Sequence, residues 1–369
     1  MKISVFTDLR FTSYAKPTGV GKHIFQMVHG LSQIEGNSVS LLATRDQVQQ
    51  AASLSFLPVR KLLMPWKVAE AVWTVTGHPI ADRWCENADW IYCPKNDFIP
   101  IRKSRVAVTV HGAHELDPQI PHQRTIGGRL NRLRRRTSYR RMLRQAALVL
   151  TVSDFLKEQM IRMFQVEPAK CCVVGNGVEP CFFQAASGEA GSSGEPAGRP
   201  FVLCVGGLNY LDGGDRVLRL ASLLRTKTPD VKVLVAGSQH EEAMKGAAAE
   251  LPNITLLGYV PAERLAMYMR DSFALVFPTR YETFGIAAAE AMAAGAPVIT
   301  CRCTAVPEIV GDAAIYVDPD QPESIVEALI ALQSQQGLRE ELISRGHARA
   351  RLYTWPACVD RLQQALEKG

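Results

Sequence analysis

The chain has no window of eighteen or more apolar residues, so it offers no candidate membrane-spanning helix. Its opening residues, MKISVFTDLR, contain one lysine but no apolar run long enough for a secretory leader. They read instead as a first β-strand from Lys2 to Phe6, and cytoplasmic residence is the default expectation. The nine cysteines include no C-x-x-C pair, which removes support for a zinc site or a thioredoxin-type redox centre. Cys171 and Cys172 are adjacent, Cys301 and Cys303 are one residue apart, and all nine read as small apolar groups. Neither sign of charge dominates. A net charge of +6 is too mild to imply nucleic acid by itself.

What is present is a chain of 369 residues, 47% apolar and 21% charged, the proportions of a globular protein with room for two domains. The clearest compositional break is QAASGEAGSSGEPAGRP, residues 184–200, rich in Gly, Ser, Ala, Pro and Glu and without a large apolar residue. Such a stretch cannot bury enough surface to order itself and reads as a linker. The expected division is a first domain over 1–184, a linker over 185–199, a second domain over 200–350, and a terminal segment over 351–369. That last segment restarts a helix after Trp355-Pro356. Val359, Leu362 and Leu366 give it one apolar face with which to pack back on the first domain.

Within each half, short β-branched runs alternate with helical patterns. KISVF, SVSLLA, WIYCP, VAVTVHG, ALVLTVS and CCVVGNG read as strands in the first half, and FVLCVGG, VKVLVAGS, NITLLG, FALVFP and APVIT in the second. Continuous apolar strands separated by helices imply parallel sheets covered on both faces. The expected fold class is therefore α/β, two doubly wound Rossmann-like domains facing across a cleft. Ligands of such folds sit at the carboxyl ends of strands, beside glycine loops and helix N-termini. Gly19 and Gly21 follow the first strand, and Gly206 and Gly207 follow FVLCV.

The segment PTRYETFGIAAAEAMAAGAPVIT sets Glu282 in a loop after the strand FALVF and Glu290 inside the helix that begins near Phe284 or Gly285. Backbone N–H groups at Gly285 and Ile286 would favour an anion, and Gly285 lets a phosphate approach. A nearby carboxylate suits sugar or ribose hydroxyls. Spacing alone leaves a second reading open, a buried helix with a solvated Glu282 and a locally paired Glu290.

The wider pattern weighs against that second reading. VGGLNYLDGGDRVL, VLVAGS, the stretch from ITLLGY to APVIT, and AVPEIVGDAAIYVDPDQPESIVEAL together resemble glycosyltransferase family 4, the group 1 glycosyltransferases of the GT-B fold. The most specific match is the E-x7-E pair, Glu282 and Glu290. PTGVGKHI, TVHG and VVGNGVEPCFF in the first half resemble the family's glycine loop, histidine strand and N-G-V-D turn.

The resemblance implies a retaining, metal-independent hexosyltransferase. Its donor would be a GDP- or UDP-linked sugar, acting as co-substrate with no further cofactor, and its acceptor lipid-linked or a cell-surface polysaccharide. On that model Glu282 contacts the donor sugar and Glu290 the ribose hydroxyls. The backbone at Phe284, Gly285 and Ile286 meets the diphosphate or sugar, with Gly206 beside it. Gly258 and Tyr259 lie near the base, and Gly19 and Gly21 admit the phosphates. A histidine is expected beside the sugar; His111, which ends its strand, is favoured over His114. Asp318 to Asp320 imitates a metal-binding D-x-D but falls in the late YVDPD segment, away from the donor loop.

Two departures stand out. Where the family usually carries Arg and Lys on the donor diphosphate, this chain has Gly207 and Asp212. Hydrogen bonds to charged groups contribute roughly 1.5–3 kcal/mol each, so losing two weakens donor binding by about two to four orders of magnitude. Arg280, Arg216 and Lys22 are candidate substitutes. The competing reading is a non-catalytic GT-B protein that binds nucleotide or glycan after losing the diphosphate clamp. The helix entry also reads GIA where GLP is common, which costs some pre-organisation but no functional group.

Finally, RTIGGRLNRLRRRTSYRRMLRQ holds nine arginines from Arg124 to Arg144, and no acid lies between Asp117 and Asp154. Leu130, Leu133, Tyr139, Met142 and Leu143 interleave at loose helical spacing. An anionic membrane surface is the expected partner, which would make the protein peripheral on the inner membrane face. A solvated helix with paired arginines is the alternative. Nucleic acid is not expected, because no recognition motif for it accompanies the run.

Overall fold

The computed structural model describes residues 1–12, 18–48, 53–85, 87–116, 125–188, 200–237 and 242–369. Most of the expected linker, 189–199, and Arg124 lie outside the described residues. The chain divides into two compact units, Met1–Asn176 with Trp355–Gly369, and Gly177–Thr354.

In the first unit the order is β1 (Lys2–Phe6), α1 (Gly19–Gln33), β2 (Ser38–Thr44), β3 (Val59–Leu62), α2 (Trp66–Thr76), β4 (Trp90–Cys93), β5 (Arg105–Val110), α3 (Ile126–Gln145), β6 (Leu148–Thr151), α4 (Asp154–Phe164) and β7 (Cys171–Val173). The seven strands form one parallel sheet in the order β3-β2-β1-β4-β5-β6-β7. β1 and β4 are neighbours, with Ile3 opposite Trp90 and Val5 opposite Tyr92. Their side chains are buried on both faces, which is why these strands carry continuous apolar runs. β3 has no such run. Its sequence, VRKL, is half-exposed because it is an edge strand, and nothing in its pattern announces it.

In the second unit α5 (Pro180–Ala186) precedes β8 (Phe201–Val205), α6 (Gly214–Lys227), β9 (Lys232–Ala236), α7 (Glu242–Ala249), β10 (Ile254–Gly258), α8 (Ala262–Asp271) and β11 (Ala274–Phe277). Then come α9 (Ile286–Ala294), β12 (Val298–Thr300), α10 (Val306–Val310), β13 (Ala314–Tyr316), α11 (Pro322–Ser334) and α12 (Leu338–Ala350). This sheet is also parallel, in the order β10-β9-β8-β11-β12-β13. The last helix, α13 (Trp355–Lys368), belongs to the first unit. Its Cys358, Val359, Leu362 and Leu366 are buried in one cluster with Ile24, Met27, Val28 and Leu31 of α1. The approach is close: a Cβ on Gly30 would lie 2.4 Å from the Val359 side chain.

The domain boundaries differ from the sequence reading in three places. α5 belongs to the second unit, not the first, because it packs on α8 and α9. The first unit therefore ends at Asn176 rather than at 184. Residues 185–186 complete α5 and 187–188 form a turn, so the linker cannot begin at 185. Residues 351–354 stay with the second unit, where Thr354 makes a parallel bridge to Val178. Among the described residues no helix is long and apolar enough to cross a membrane.

Candidate active site

Each sheet reverses its winding at one point, between β1 and β4 and between β8 and β11. The loops leaving the carboxyl ends of those strands diverge there and open a crevice. In the second unit, the loop after β8 carries Gly206 and Asp212, and the loop after β11 carries Glu282.

At the end of β8 the backbone is crowded. Gly206 and Gly207 both have positive φ, 122° and 98°, and a Cβ on Gly237 would lie 2.6 Å from Gly207 N. The Gly206 N–H donates to Ala236 O at 3.0 Å and the Gly237 N–H to Gly258 O at 2.7 Å, which joins the ends of β8, β9 and β10. Gly258, φ 67°, and the exposed Tyr259 stand at the outer end of this row. A Cβ on Gly206 would lie 2.7 Å from the Asp212 carboxyl, so a side chain at 206 would have to displace it. Asn209 holds Asp212 from two directions, donating from Nδ2 to its carboxylate and accepting its N–H at 3.0 Å.

β11 ends at Phe277, and α9 starts nine residues later behind Gly285, whose φ of 94° turns the chain into the helix. The N–H groups of Ile286 and Ala287 open α9, where no helical carbonyl reaches them. α9 is hydrophobic all round and buried, and Glu290 is buried within it at 5% exposure. Phe284 is buried, edge-on to Tyr353, and Ile286 is half-buried.

Glu282 is fixed by its main chain. Its N–H donates to Thr304 Oγ1 at 2.8 Å, and its carbonyl accepts the Ala305 N–H at 3.3 Å. Burial pushes its carboxyl up to about 8, the Asp212 charge adds to the rise, and the Gly285 N–H pulls the other way. The group is therefore largely protonated at neutral pH. Thr304 takes φ 43°, a left-handed conformation unfavourable for a β-branched residue by about 1–3 kcal/mol. Neither the partnership with Glu282 nor the strain at Thr304 had a signal in the sequence.

Two of the three candidate phosphate cations are committed elsewhere. Arg280 forms a two-point ion pair with Asp215, at 2.6 and 2.8 Å, and lies over the Tyr210 ring. Arg216 is buried, paired with Asp320 at 2.8 and 2.9 Å, and donates to the carbonyls of Pro278 and Thr279. The last residue of the D-x-D imitation thus serves Arg216. A cation that the sequence reading passed over, Arg302, follows β12. It stacks on Tyr316 at 3.9 Å and has no carboxylate partner among the described residues.

In the first unit, α1 begins behind Thr18, whose Oγ1 accepts the Gly21 N–H at 3.1 Å. Gly19 has open space around it, whereas a Cβ on Gly21 would lie 2.0 Å from Phe11 O. Lys22 is half-buried on the first turn of α1. His111 directly follows β5. Its Nε2–H donates to Pro94 O at 2.8 Å, leaving Nδ1 with the lone pair, and its main-chain N–H donates to Asn96 Oδ1 at 3.0 Å. The fully buried His23 stands edge-on to it at 4.5 Å and donates from Nδ1 to Asn176 Oδ1 at 2.8 Å. Burial depresses the His111 imidazole to about 4, Lys95 pushes in the same direction, and the Pro94 carbonyl opposes them. His114 is a different case: it lies 3.7 Å from Glu115 on a half-exposed turn.

Comparison with known proteins agrees with this architecture. Residues 17–181 match the family model described as Glycosyltransferase Family 4, and residues 188–349 the model described as Glycosyl transferases group 1. The chain is 26% identical over 294 residues to O-antigen chain mannosyltransferase B of Escherichia coli, covering 76% of each chain. It is 29% identical over 230 residues to phosphatidyl-myo-inositol mannosyltransferase of Mycobacterium tuberculosis, covering 59% of this chain and 58% of that one. Against several other curated relatives it spans about half their length. Among solved structures, sucrose-phosphate synthase from Thermosynechococcus elongatus superposes with a TM-score of 0.75 at 17% identity, covering 100% of this chain and 99% of that one. Anabaena HepE in complex with UDP and glucose gives 0.69 at 16%, with both chains fully covered. The fold is GT-B, two parallel α/β units.

Proposed function

The chain belongs to the group 1 glycosyltransferases of family 4, and from that premise we propose that it moves a hexose, with retention and without a metal, from a GDP- or UDP-linked sugar to a lipid-linked or polysaccharide acceptor. The observation that carries the reading is the arrangement at the β8/β11 switch. The start of α9 meets the Glu282 loop there, and Glu290 lies just inside the helix. An anion placed against the Ile286 and Ala287 N–H groups gains from the helix dipole. Cleavage of a sugar–diphosphate bond builds negative charge on the leaving group, so this favourable interaction grows toward the transition state. A protonated Glu282 donates a hydrogen bond to a sugar hydroxyl and accepts another. Glu290 accepts from ribose hydroxyls. In a front-face route the leaving phosphate oxygen takes the acceptor's proton, so no side-chain nucleophile is needed. His111, held neutral by burial, offers its Nδ1 lone pair to a sugar hydroxyl.

The relatives that act on O-antigen chains and on phosphatidyl-myo-inositol support an envelope glycan or lipid as acceptor. α3 supports an anionic lipid surface nearby. Leu130 and Leu133 are 65% and 66% exposed among its arginines, whereas Tyr139, Met142 and Leu143 are buried.

A second reading, a binding protein without transferase activity, is favoured by one observation: Arg216 and Arg280 are each held by a carboxylate, and Asp212 stands where the family carries Lys. Incubation with GDP- and UDP-hexoses separates the two. The transferase reading expects slow donor hydrolysis and a raised melting temperature with one nucleotide class, unchanged by a chelator. Absence of hydrolysis with every donor, with or without a raised melting temperature, selects the binding reading.

A further inference from the structure

The sulfurs of Cys301 and Cys303 lie 3.7 Å apart, directly behind the Glu282 loop. The Cys303 N–H donates to Cys301 O at 3.0 Å, so the chain turns tightly at Arg302 and brings the two side chains together. Both thiols also point at one acceptor, Thr279 O, at 3.1 and 3.5 Å. Disulfide formation requires a further approach of roughly 1.6 Å between sulfurs already aimed at the same point. Cys301 is buried and Cys303 is half-buried, which leaves a route for a small oxidant. The Cys303 S–H lowers the Cys301 thiol, which favours a thiolate within the pair.

The pair is mechanically joined to the candidate catalytic carboxylate. Thr304, the next residue, accepts the Glu282 N–H, and Ala305 donates to the Glu282 carbonyl. Thr304 is already in a left-handed conformation, φ 43°, so a shift of Cys303 has little slack to absorb it.

From this geometry we infer that Cys301 and Cys303 are an oxidative modification site, a dithiol that closes reversibly to a disulfide with a hydroperoxide as oxidant and displaces the Glu282 loop. One sulfur, as thiolate, attacks a hydrogen peroxide oxygen; the O–O bond breaks, and the departing hydroxide takes up the released thiol proton as water. The resulting sulfenic acid is attacked by the second sulfur. The S–S bond forms as the S–O bond breaks, and the hydroxyl leaves with the second thiol proton as another water. Two thiols are oxidised and one peroxide is reduced, and a thiol reductant reverses the step. The chemical part stands on the sulfur geometry alone; the effect on turnover rests on the proposed transferase activity.

The test treats the full chain with hydrogen peroxide, blocks remaining thiols with iodoacetamide, and digests with trypsin. Cleavage after Arg302 separates the two cysteines into peptides 281–302 and 303–339. The expected result is that these two peptides travel as one linked species, or as an uncut 281–339 peptide two hydrogens lighter, and that dithiothreitol restores two free thiols. Separately alkylated peptides after oxidation, or a Cys303 sulfinic acid beside an alkylated Cys301, overturn the assignment. Nucleotide-sugar turnover should fall about a hundredfold on oxidation, the scale of a 1 Å misplacement, and recover on reduction. A Cys303→Ser protein should keep its own rate through the same treatment. A disulfide that leaves turnover unchanged overturns the coupling to Glu282. Disulfide formation in a protein that turns over no donor even when reduced overturns the transferase reading and upholds the dithiol.

Discussion

Glu282 is the residue on which most of the proposed chemistry rests. Its carboxyl is raised to about 8 from the ordinary range near 4.5, so between those values the folded protein keeps a proton that the unfolded chain releases. Stability therefore declines as pH rises through that window and levels off above it. Glu282→Gln should raise the melting temperature relative to the parent near pH 9 and leave it unchanged near pH 4, checked by thermal melts across pH. Glu282→Ala should slow transfer by about 10²-fold or more, because it removes both hydrogen bonds proposed for the donor sugar. Asp212 adds to the rise, so Asp212→Asn should move the Glu282 titration toward lower pH, measurable by carboxyl NMR. Asp212→Lys should tighten donor binding, measured by calorimetry with nucleoside diphosphates. Unchanged affinity would mean that position 212 does not face the phosphates. The E-x7-E spacing was legible in the sequence; the neutral state of Glu282 was not. It depends on burial and on Asp212, seventy residues earlier in the chain.

At the scale of elements, α9 and α3 show two uses of helix ends and faces. α9 is entered through Gly285 at φ 94°, and a Cβ there would meet the Phe277 and Val306 side chains only at ordinary contact distance, 3.7 and 3.9 Å. Gly285→Ala should therefore cost about 1–2 kcal/mol from conformation alone, read from denaturant melts, with weaker donor binding as the helix start shifts. α3 runs unbroken over Ile126–Gln145, and its apolar residues divide into two groups. The sequence could not separate them, because loose helical spacing does not say which turn meets the sheet. Replacing Leu130 and Leu133 with Ser should weaken sedimentation with anionic vesicles and leave stability nearly unchanged, since both side chains are exposed. Equal binding of the parent to neutral and anionic vesicles would exclude the electrostatic part of that reading.

For the whole molecule, the chain's end completes its beginning. α13 lies more than three hundred residues from α1 yet shares its core cluster, and the Trp90 Nε1–H donates to Leu366 O at 3.1 Å. Removing residues 355–369 would uncover Ile24, Met27, Val28 and Leu31 together. Each buried aliphatic side chain contributes about 1.5–3 kcal/mol, so the truncated chain should lose cooperative melting of the first unit. The sequence marked α13 by its apolar face and proline start. The partner of that face and the exact-residue boundary at Asn176 emerged only with the contacts.

The sequence by itself determined the alternation of apolar strands and helices, the parallel sheets that follow from it, the glycines at strand ends and the paired glutamates, because these are local patterns set by backbone geometry and side-chain period. Tertiary structure decided which carboxylates hold Arg216 and Arg280, why His111 rather than His114 sits beside a buried histidine, where the edge strand β3 lies, and how Thr304 and the two sulfurs stand against the Glu282 loop. Those outcomes depend on groups far apart in the chain meeting at the ends of strands, and burial and charge act there through space rather than along the sequence.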